Sequence, residues 1–466
     1  MGLKVLVASS EIYPYSKTGG LGDFAHGLLK YLNRIGVQAF GISPLYKSVD
    51  RERFGIKKTG KILRVFLKER LYEFELYTDG KNYFLYNPEL FDREHIYGPP
   101  GEAYPDNDLR FGAFSWAVSL AILEGLIEAD IIHSNDWQTA LIPLISKEVL
   151  KLPQKHVFTI HNLAYQGIFG RDTLYTLNLP EYLFTPEGIE YYGNLNFMKA
   201  GIIYSDKMTT VSPTYAYQIT TPEYGEGLDG LIRKYAYKLR GILNGIDYEV
   251  WNPETDPYID FKYSAQNLEG KYWNKKKLCE EMEIDFKKPL FIFINRLTKQ
   301  KGVEIVLRAL PEMAERKANF IFLGSGEYEQ EFLKRIGSYP NIKLINRYDE
   351  VLSRRLYGAG DFVLMPSLFE PCGLTQMIGM RYGCIPVVRE TGGLADTVID
   401  LHKGGYGITF LSPRWEEFIC AVDRALELYE NTKRFNSLRK RVMELDFSAE
   451  RMAREYLGVY EECLAS

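Results

Sequence analysis

Two series of short segments, apolar throughout and each followed by a loop and a helical pattern, constrain this 466-residue chain more than any other feature. A strand with one solvated face alternates apolar and polar residues, whereas a strand covered by helices on both faces shows no polar side. Segments of the second kind, separated by helices, predict parallel sheets of the doubly wound α/β class. The first series takes in residues 3–8, 37–42, 131–133, 157–160 and 207–211, with helical patterns over 23–35 and 108–128 and from Trp137. Residues 62–87 break the rhythm: alternating stretches around Thr78-Asp79-Gly80 predict an inserted hairpin. The second series takes in residues 290–294, 320–323, 343–345, 362–365, 386–388 and 407–410. Between them, residues 244–288 are rich in Asn, Pro, Asp and Lys and mark the join. The expected architecture is two doubly wound, Rossmann-like domains, 1–243 and 244–446, facing each other across a cleft. A last helix, 447–466, carries a stripe of Met452, Tyr456, Val459, Tyr460 and Cys463 that needs a partner, and it is expected to cross back onto the first domain.

Composition narrows the function classes. With 57 Lys and Arg against 61 Asp and Glu, the net charge of −4 argues against a nucleic-acid binder. The apolar, charge-free stretch 111–123 is too short to span a bilayer, and the N-terminus does not read as a signal peptide. Five cysteines (279, 372, 384, 420 and 463) form no CxxC pair, which fits a cytoplasmic protein with reduced thiols. Aromatic residues number 65, of which 34 are Tyr. Most will pack in the core, but sugar-binding surfaces also stack such rings on the apolar faces of sugars.

In doubly wound folds, ligands bind beyond the C-terminal ends of the strands, and most of the polar motifs fall there. Lys17-Thr-Gly-Gly-Leu-Gly22 follows a strand and opens a helix, so it is either a plain tight turn or a phosphate cradle. Arg296-Leu-Thr-Lys-Gln-Lys301-Gly302 offers cations at a strand end, for a diphosphate or simply as a solvated basic loop. Glu370-Pro-Cys-Gly-Leu-Thr-Gln376 places an acid before a helix, either for sugar hydroxyls or to complement the helix dipole. Thr391-Gly-Gly-Leu-Ala-Asp396 is a second glycine-rich helix start. His133-Ser-Asn-Asp136-Trp137 and Thr159-Ile-His161-Asn162 end strands with polar clusters, in which a histidine is either structural or functional. No metal-ligand spacing and no G-x-S-x-G elbow is present.

Taken in order, these motifs resemble those of bacterial glycogen and starch synthases, glycosyltransferase family five. So do Val211-Ser-Pro-Thr-Tyr215, Tyr224-Gly-Glu-Gly-Leu-Asp-Gly230 and Leu243-Asn-Gly-Ile-Asp247, and the likeness covers essentially the whole chain. It implies the GT-B fold, with the donor nucleotide held mainly by the C-terminal domain. It also implies transfer of glucose, with retention, from ADP-glucose or UDP-glucose to the 4-hydroxyl at the non-reducing end of glycogen or another α-1,4-glucan. ADP-glucose is the commoner donor among bacterial relatives.

Carried over by motif, Lys17, Arg296 and Lys301 would face the diphosphate, and Glu370 would contact glucosyl hydroxyls. Asp136 and His161 would line the sugar pocket, and these six form the expected catalytic set. Glu11, in Ser10-Glu11-Ile-Tyr-Pro14, matches a family acid near the reaction centre. Gly19, Gly20, Asn162, Cys372, Gly373, Leu374, Thr391, Gly392 and Gly393 complete the expected substrate-binding set. No metal or other cofactor, no nucleic acid and no membrane is expected. Departures are modest: Asn135 stands where a second His is commoner, Asp23-Phe-Ala-His26 replaces Asp-Val-Val-Gly, and Ile378 occupies the second acid of a Glu-x7-Glu pattern. A nucleotide-sugar epimerase of the same fold would give no acceptor-dependent chain growth. A non-catalytic glucan- or nucleotide-binding protein would be expected to have lost Lys17, Glu370 or the Arg296–Lys301 pair, and all are present.

Overall fold

The computed structural model describes residues 2–68 and 70–466. Met1 and Glu69, the latter inside the expected hairpin region, lie outside the described residues. The chain divides into two compact units: residues 1–211, 216–242 and 449–466 form one, and 212–215 with 243–448 form the other. These bounds differ from the expected 1–243, 244–446 and 447–466 by a residue or two at the crossings, and by the small segment 212–215. The join at 244–288 is no loose linker, because it folds into the second unit. Asp256 there is fully buried, accepting hydrogen bonds from Arg354 at 3.1 Å and from the Tyr382 hydroxyl.

In the first unit the strands are β1 (Lys4–Ala8), β2 (Gln38–Pro44), β3 (Lys57–Leu67), β4 (Arg70–Thr78), β5 (Tyr83–Tyr86), β6 (Ile131–Asn135), β7 (Lys155–Ile160), β8 (Ile168–Phe169), β9 (Glu190–Tyr191), β10 (Asn194–Asn196), β11 (Lys207–Thr210) and β12 (Leu239–Gly241). Nine of them form one sheet in the order β12-β11-β7-β6-β1-β2-β5-β4-β3. It is parallel from β12 to β5, and the final β5-β4-β3 run is antiparallel. The inserted hairpin is thus a three-stranded meander on the sheet edge. Strands β8, β10 and β9 form a small separate sheet.

The second unit contains β13 (Leu290–Ile294), β14 (Asn319–Leu323), β15 (Ile342–Ile345), β16 (Phe362–Met365), β17 (Ile385–Arg389) and β18 (Ile408–Phe410). They form one parallel sheet in the doubly wound order β15-β14-β13-β16-β17-β18. The strand order reverses between β1 and β6 in the first unit and between β13 and β16 in the second. Those are the points where a doubly wound sheet opens a crevice for ligand.

The last helix, Ala449–Ala465, packs within the first unit against the helix Gly20–Arg34. Its stripe residues Met452, Tyr456, Val459, Tyr460 and Cys463 are all buried. Polar bonds fix the register of this packing. The His133 ring meets the Tyr460 hydroxyl at 2.7 Å through Nδ1 and Thr159 Oγ1 at 2.6 Å through Nε2. Thr159 passes the chain to Thr209, and Thr209 to the Tyr456 hydroxyl at 3.0 Å. Burial pushes the His133 imidazole down to about 3, and nearby His161 adds to the shift, so the ring is neutral at ordinary pH. For His133 the structural reading holds.

Candidate active site

At the C-terminal end of β1 the chain turns through Ser9-Ser10-Glu11 toward the glycine-rich loop. Glu11 is buried and both its carboxylate oxygens are occupied: Oε1 accepts the backbone N–H of Thr18 and, at 3.2 Å, that of Gly19. Oε2 accepts the Thr18 hydroxyl at 2.8 Å and the Tyr97 hydroxyl. The acid therefore serves the loop. It also explains why the helix begins at Gly20, three residues before the expected Asp23. The N–H groups of Thr18 and Gly19, at the start of that helix, find their acceptor in the Glu11 side chain. Gly19 caps the helix and is exposed, as are Gly20 and Lys17. Lys17 Nζ pairs with Asp23 at 2.7 Å and lies 5.7 Å from the Tyr13 ring centroid, so its charge is held at the mouth of the loop.

Beyond β6, Asp136 starts a short helix, Asp136–Thr139, in the left-handed region with φ of 57°. The helix expected from Trp137 is broken here into short turns, with Pro143 inside the second of them, Leu141–Leu144. Asp136 Oδ1 accepts the backbone N–H of His161 at 2.7 Å, and Asn162 N–H adds another bond. Withdrawal from water is the largest influence on this carboxyl and the Glu11 charge adds to it. The two backbone donors oppose them, and the net result is a pKa pushed up to about 7.

His161 follows β7. Burial pushes its pKa down to about 3, so the ring works uncharged. Its tautomer follows from a neighbour. Asn135 donates its Nδ2 to the carbonyls of Ala8 at 3.1 Å and His133 at 3.4 Å, which turns Oδ1 toward His161 Nε2 at 2.9 Å. An amide oxygen only accepts, so Nε2 carries the proton and Nδ1 keeps its lone pair. Phe24 holds the same ring edge-on at 4.5 Å. Asn162 turns its side-chain oxygen to Ala164 N–H.

The second unit builds its site from three strand ends. After β13, Arg296 is exposed and has no ion-pair or hydrogen-bond partner among the described residues. Lys301 instead reaches Glu370, with Nζ 3.0 Å from Oε1 and 2.8 Å from Oε2; Ser367 Oγ donates to Oε2 at 3.0 Å. The two side chains are 12% and 6% exposed. The loops that carry them interlock. Leu368 N–H donates to Gln300 O at 2.8 Å, and a Cβ on Gly302 (φ 79°) would lie 2.0 Å from Pro366 O, so only glycine fits.

Glu370 also anchors the next loop, accepting Gly393 N–H at 2.9 Å through its backbone carbonyl. A Cβ on Gly393 would strike the Cys372 backbone at 2.1 Å, so this residue is glycine because of the neighbouring loop. Gly392 (φ 49°) starts the helix Gly392–Thr397 after the buried Thr391. Cys372 is buried, Gly373 (φ 82°) turns the chain, and Leu374 precedes the helix Thr375–Arg381. Asp396 accepts the Thr214 N–H and hydroxyl at 2.9 and 2.7 Å, while Ser212 Oγ donates to Pro371 O at 2.6 Å. That bonding accounts for both the Ser-Pro-Thr motif and the assignment of 212–215 to the second unit.

Sequence reasoning passed over Thr18 and Tyr97 on Glu11, Asn135 on His161 and Ser367 on Glu370. It also passed over two side-chain atoms buried without a partner, Asn295 Nδ2 beside Arg296 and Asn244 Oδ1. Asn244 lies inside the quoted motif 243–247 and Asn295 directly before Arg296, and only those positions could have marked them. Among the described residues no group of three or more His, Cys, Asp or Glu is arranged to hold a metal ion. No described helix is long and apolar enough to cross a membrane.

Residues 4–234 match the starch synthase catalytic domain family, and 274–441 match the glycosyl transferases group 1 family. The glycogen synthase of Aquifex aeolicus is 57% identical over 460 residues, covering 99% of each chain, and that of Thermotoga maritima is 40% identical over 489 residues with the same coverage. The catalytic domain of starch synthase IV from Arabidopsis thaliana, solved with ADP and acarbose, superposes over 100% of both chains with a TM-score of 0.93 and 33% identity. A sucrose-phosphate synthase from Thermosynechococcus elongatus, 13% identical with 99% of both chains covered and a TM-score of 0.64, shares the fold alone. With doubly wound units, strand-end cations and acids, and relatives matched from end to end, this chain belongs to the glycogen and starch synthase family of GT-B glycosyltransferases.

Proposed function

We propose that the chain transfers glucose from ADP-glucose to the 4-hydroxyl at the non-reducing end of an α-1,4-glucan, with retention at the anomeric carbon. The observation that carries this reading is the Lys301–Glu370 pair at the switch point of the second sheet, with the exposed Arg296 on the same loop as Lys301. An ammonium has three N–H donors. Two are turned to Glu370, which leaves one for a phosphate oxygen. Glu370 in turn has lone pairs left for glucosyl hydroxyls.

In the reaction the bond between the anomeric carbon and the diphosphate oxygen breaks, and its electron pair stays on the diphosphate. Lys301, Arg296 and Lys17 are cations suited to meet that growing charge, a contribution of roughly 10²–10³ in rate for each well-placed group. The acceptor oxygen forms the new bond on the same face of the sugar, and its proton passes to the departing phosphate. The neutral His161, with Nδ1 as acceptor, and Asp136 are suited to bind glucosyl hydroxyls. Fixed side-chain charge supplies the electrostatic role here, and we assign no metal to it. The ADP in the Arabidopsis relative favours adenine as the donor base. Five free cysteines suit a reducing, cytoplasmic setting.

The test is a side-by-side assay with ADP-glucose and UDP-glucose. Nucleoside diphosphate release that depends on added glycogen, is faster with ADP-glucose and yields an iodine-staining product supports the assignment. Release without acceptor, or conversion of the sugar with no chain growth, rejects it.

A further inference from the structure

Of the lysines and arginines buried among the described residues, all but one are met by two or more acceptors. Arg354 Nη1 reaches Asp256 at 3.1 Å and the Val250 carbonyl at 3.0 Å, and Arg110 donates to the Leu90 and Ile96 carbonyls at 2.6 and 2.8 Å. Lys199, Lys238 and Lys271 each hold two backbone carbonyls, and Lys275 meets Asp361 and the Tyr429 hydroxyl. Arg389 is the exception. It is 8% exposed, and its one hydrogen bond among the described residues runs from Nη1 to the Leu368 carbonyl at 3.3 Å. Its Nε is buried without a partner, while Nη2, also without one, keeps contact with solvent. No carboxylate among the described residues pairs with it. A buried guanidinium left unpaired opposes folding, so its retention calls for a reason outside the fold.

Its place in the sheet supplies that reason. Arg389 is the last residue of β17, and β17 pairs with β16 as far as Val388 opposite Met365, so Arg389 stands one residue past the end of β16. The chain leaving β16 there carries Ser367 and Glu370. Leu368, between them, ties both flanks together. Its N–H goes to the Gln300 carbonyl at 2.8 Å, in the loop of Lys301, and its own carbonyl receives Arg389. On the other side, Thr391-Gly392-Gly393 follow after one residue. Lys301 and Glu370 hold each other and cancel, so they leave the charge of Arg389 unneutralised.

We propose that Arg389 is a further anion-binding residue of the donor site, taking a phosphate oxygen of the nucleotide diphosphate with the donors that the fold leaves idle. This rests on the proposed donor and adds to it a cation from β17, beside those from the loop after β13. The Leu368 carbonyl alone does not explain the residue, because a neutral amide would serve a single bond of 3.3 Å equally well. A planar fork of N–H donors with a permanent charge suits a phosphate, which can accept two parallel bonds from it. Bound diphosphate would then supply the counter-charge that the folded chain withholds.

Isothermal titration with ADP, without glycogen or turnover, tests this on wild type and two variants. Arg389→Gln keeps a donor for the Leu368 carbonyl and loses the charge. Its ADP Kd should rise roughly 10- to 150-fold, the span for a hydrogen bond to a charged group. Its melting temperature without ADP should equal or exceed wild type, because a buried unpaired charge has gone. Adenosine, which carries no phosphate, should bind wild type and variant alike. Arg389→Lys keeps the charge without the fork and should recover part of the ADP affinity. An unchanged ADP Kd in Arg389→Gln overturns the inference, as does equal weakening of adenosine or an Arg389→Lys protein as weak as Arg389→Gln. An Arg389→Gln protein that melts well below wild type, or does not fold, overturns it too, since the residue then serves the fold. Wild type that binds neither ADP nor UDP rejects the proposed donor together with this site, whereas wild type and Arg389→Gln binding ADP equally well reject this site alone.

Discussion

Lys301 and Glu370 hold each other at 2.8 and 3.0 Å in a nearly dry corner where the loops after β13 and β16 interlock. In the sequence they belong to two motifs 69 residues apart, one read as a diphosphate cradle and the other as a sugar contact. The structure makes them one device. If Lys301 serves the leaving group and Glu370 the glucosyl hydroxyls, as proposed, both are set by the same contact, and moving either misplaces both.

Lys301→Ala should therefore fail twice. Turnover at saturating glycogen falls roughly 10²–10³, as loss of a preorganised charge does. Stability falls as well, because a carboxylate 6% exposed loses its counter-ion. Breaking a buried pair costs about 3–5 kcal/mol, with the lower end expected because Ser367 stays bonded to Glu370. Adding Glu370→Gln should recover most of the stability and none of the turnover, and Lys301→Arg should rescue turnover only in part. Steady-state kinetics with varied donor, beside urea unfolding, check all three. Near-normal turnover in a folded Lys301→Ala would remove the leaving-group role.

The C-terminal helix gives a prediction about stability. Tyr460→Phe keeps the packing but strips His133 Nδ1 of its partner, a cost of about 1–3 kcal/mol for a buried polar group left unpaired. Truncation after Asp446 removes the whole buried stripe of Met452, Tyr456, Val459, Tyr460 and Cys463 and should cost far more, read as a lower melting temperature. A Tyr460→Phe protein with an unchanged urea midpoint would show that the bond contributes nothing net.

Doubly wound order, strand positions and the crossing of the last helix were legible because apolar runs and helical stripes are local patterns. The strand-end rule then placed Glu11, Lys17, Asp136, His161, Arg296, Lys301 and Glu370 on loops beyond the C-terminal ends of strands, where the structure has them. Partners were not legible, because pairing depends on distance in space. Nothing in Ser10-Glu11-Ile says that the carboxylate will cap Thr18 and Gly19, and nothing in Gly302 or Gly393 says that a neighbouring backbone leaves no room for a Cβ.

Transfer should proceed without a divalent metal. In the proposed reaction Lys17, Lys301 and Arg296 would supply the positive charge for the diphosphate, and an ammonium or guanidinium does this without a change of ligands during the reaction. EDTA at millimolar concentration is expected to leave the initial rate within about twofold. A strong loss that magnesium or manganese restores would assign the charge role to a metal instead.

Asp136 sets the pH behaviour. Its pKa of about 7 in the folded chain stands against about 3.9 for an ordinary aspartate. Between those values the unfolded chain releases the proton and the folded chain keeps it, so raising the pH through this window costs wild-type stability. Asp136→Asn avoids that cost, and Asn also suits a φ of 57° better than most side chains. The variant should therefore melt above wild type at pH 8, with the gap closing toward pH 4. Activity should move the opposite way. If the carboxylate binds a glucosyl hydroxyl, kcat/KM of wild type rises with an acid limb centred near pH 7, since that ratio reports the free enzyme. Asp136→Asn loses the limb and roughly 10- to 150-fold in kcat/KM, the span for a hydrogen bond to a charged group. Gain in stability with loss of activity is the mark of a residue kept for function against the preference of the fold. A flat profile between pH 6 and 8, or a variant less stable than wild type at pH 8, would refute this account of Asp136.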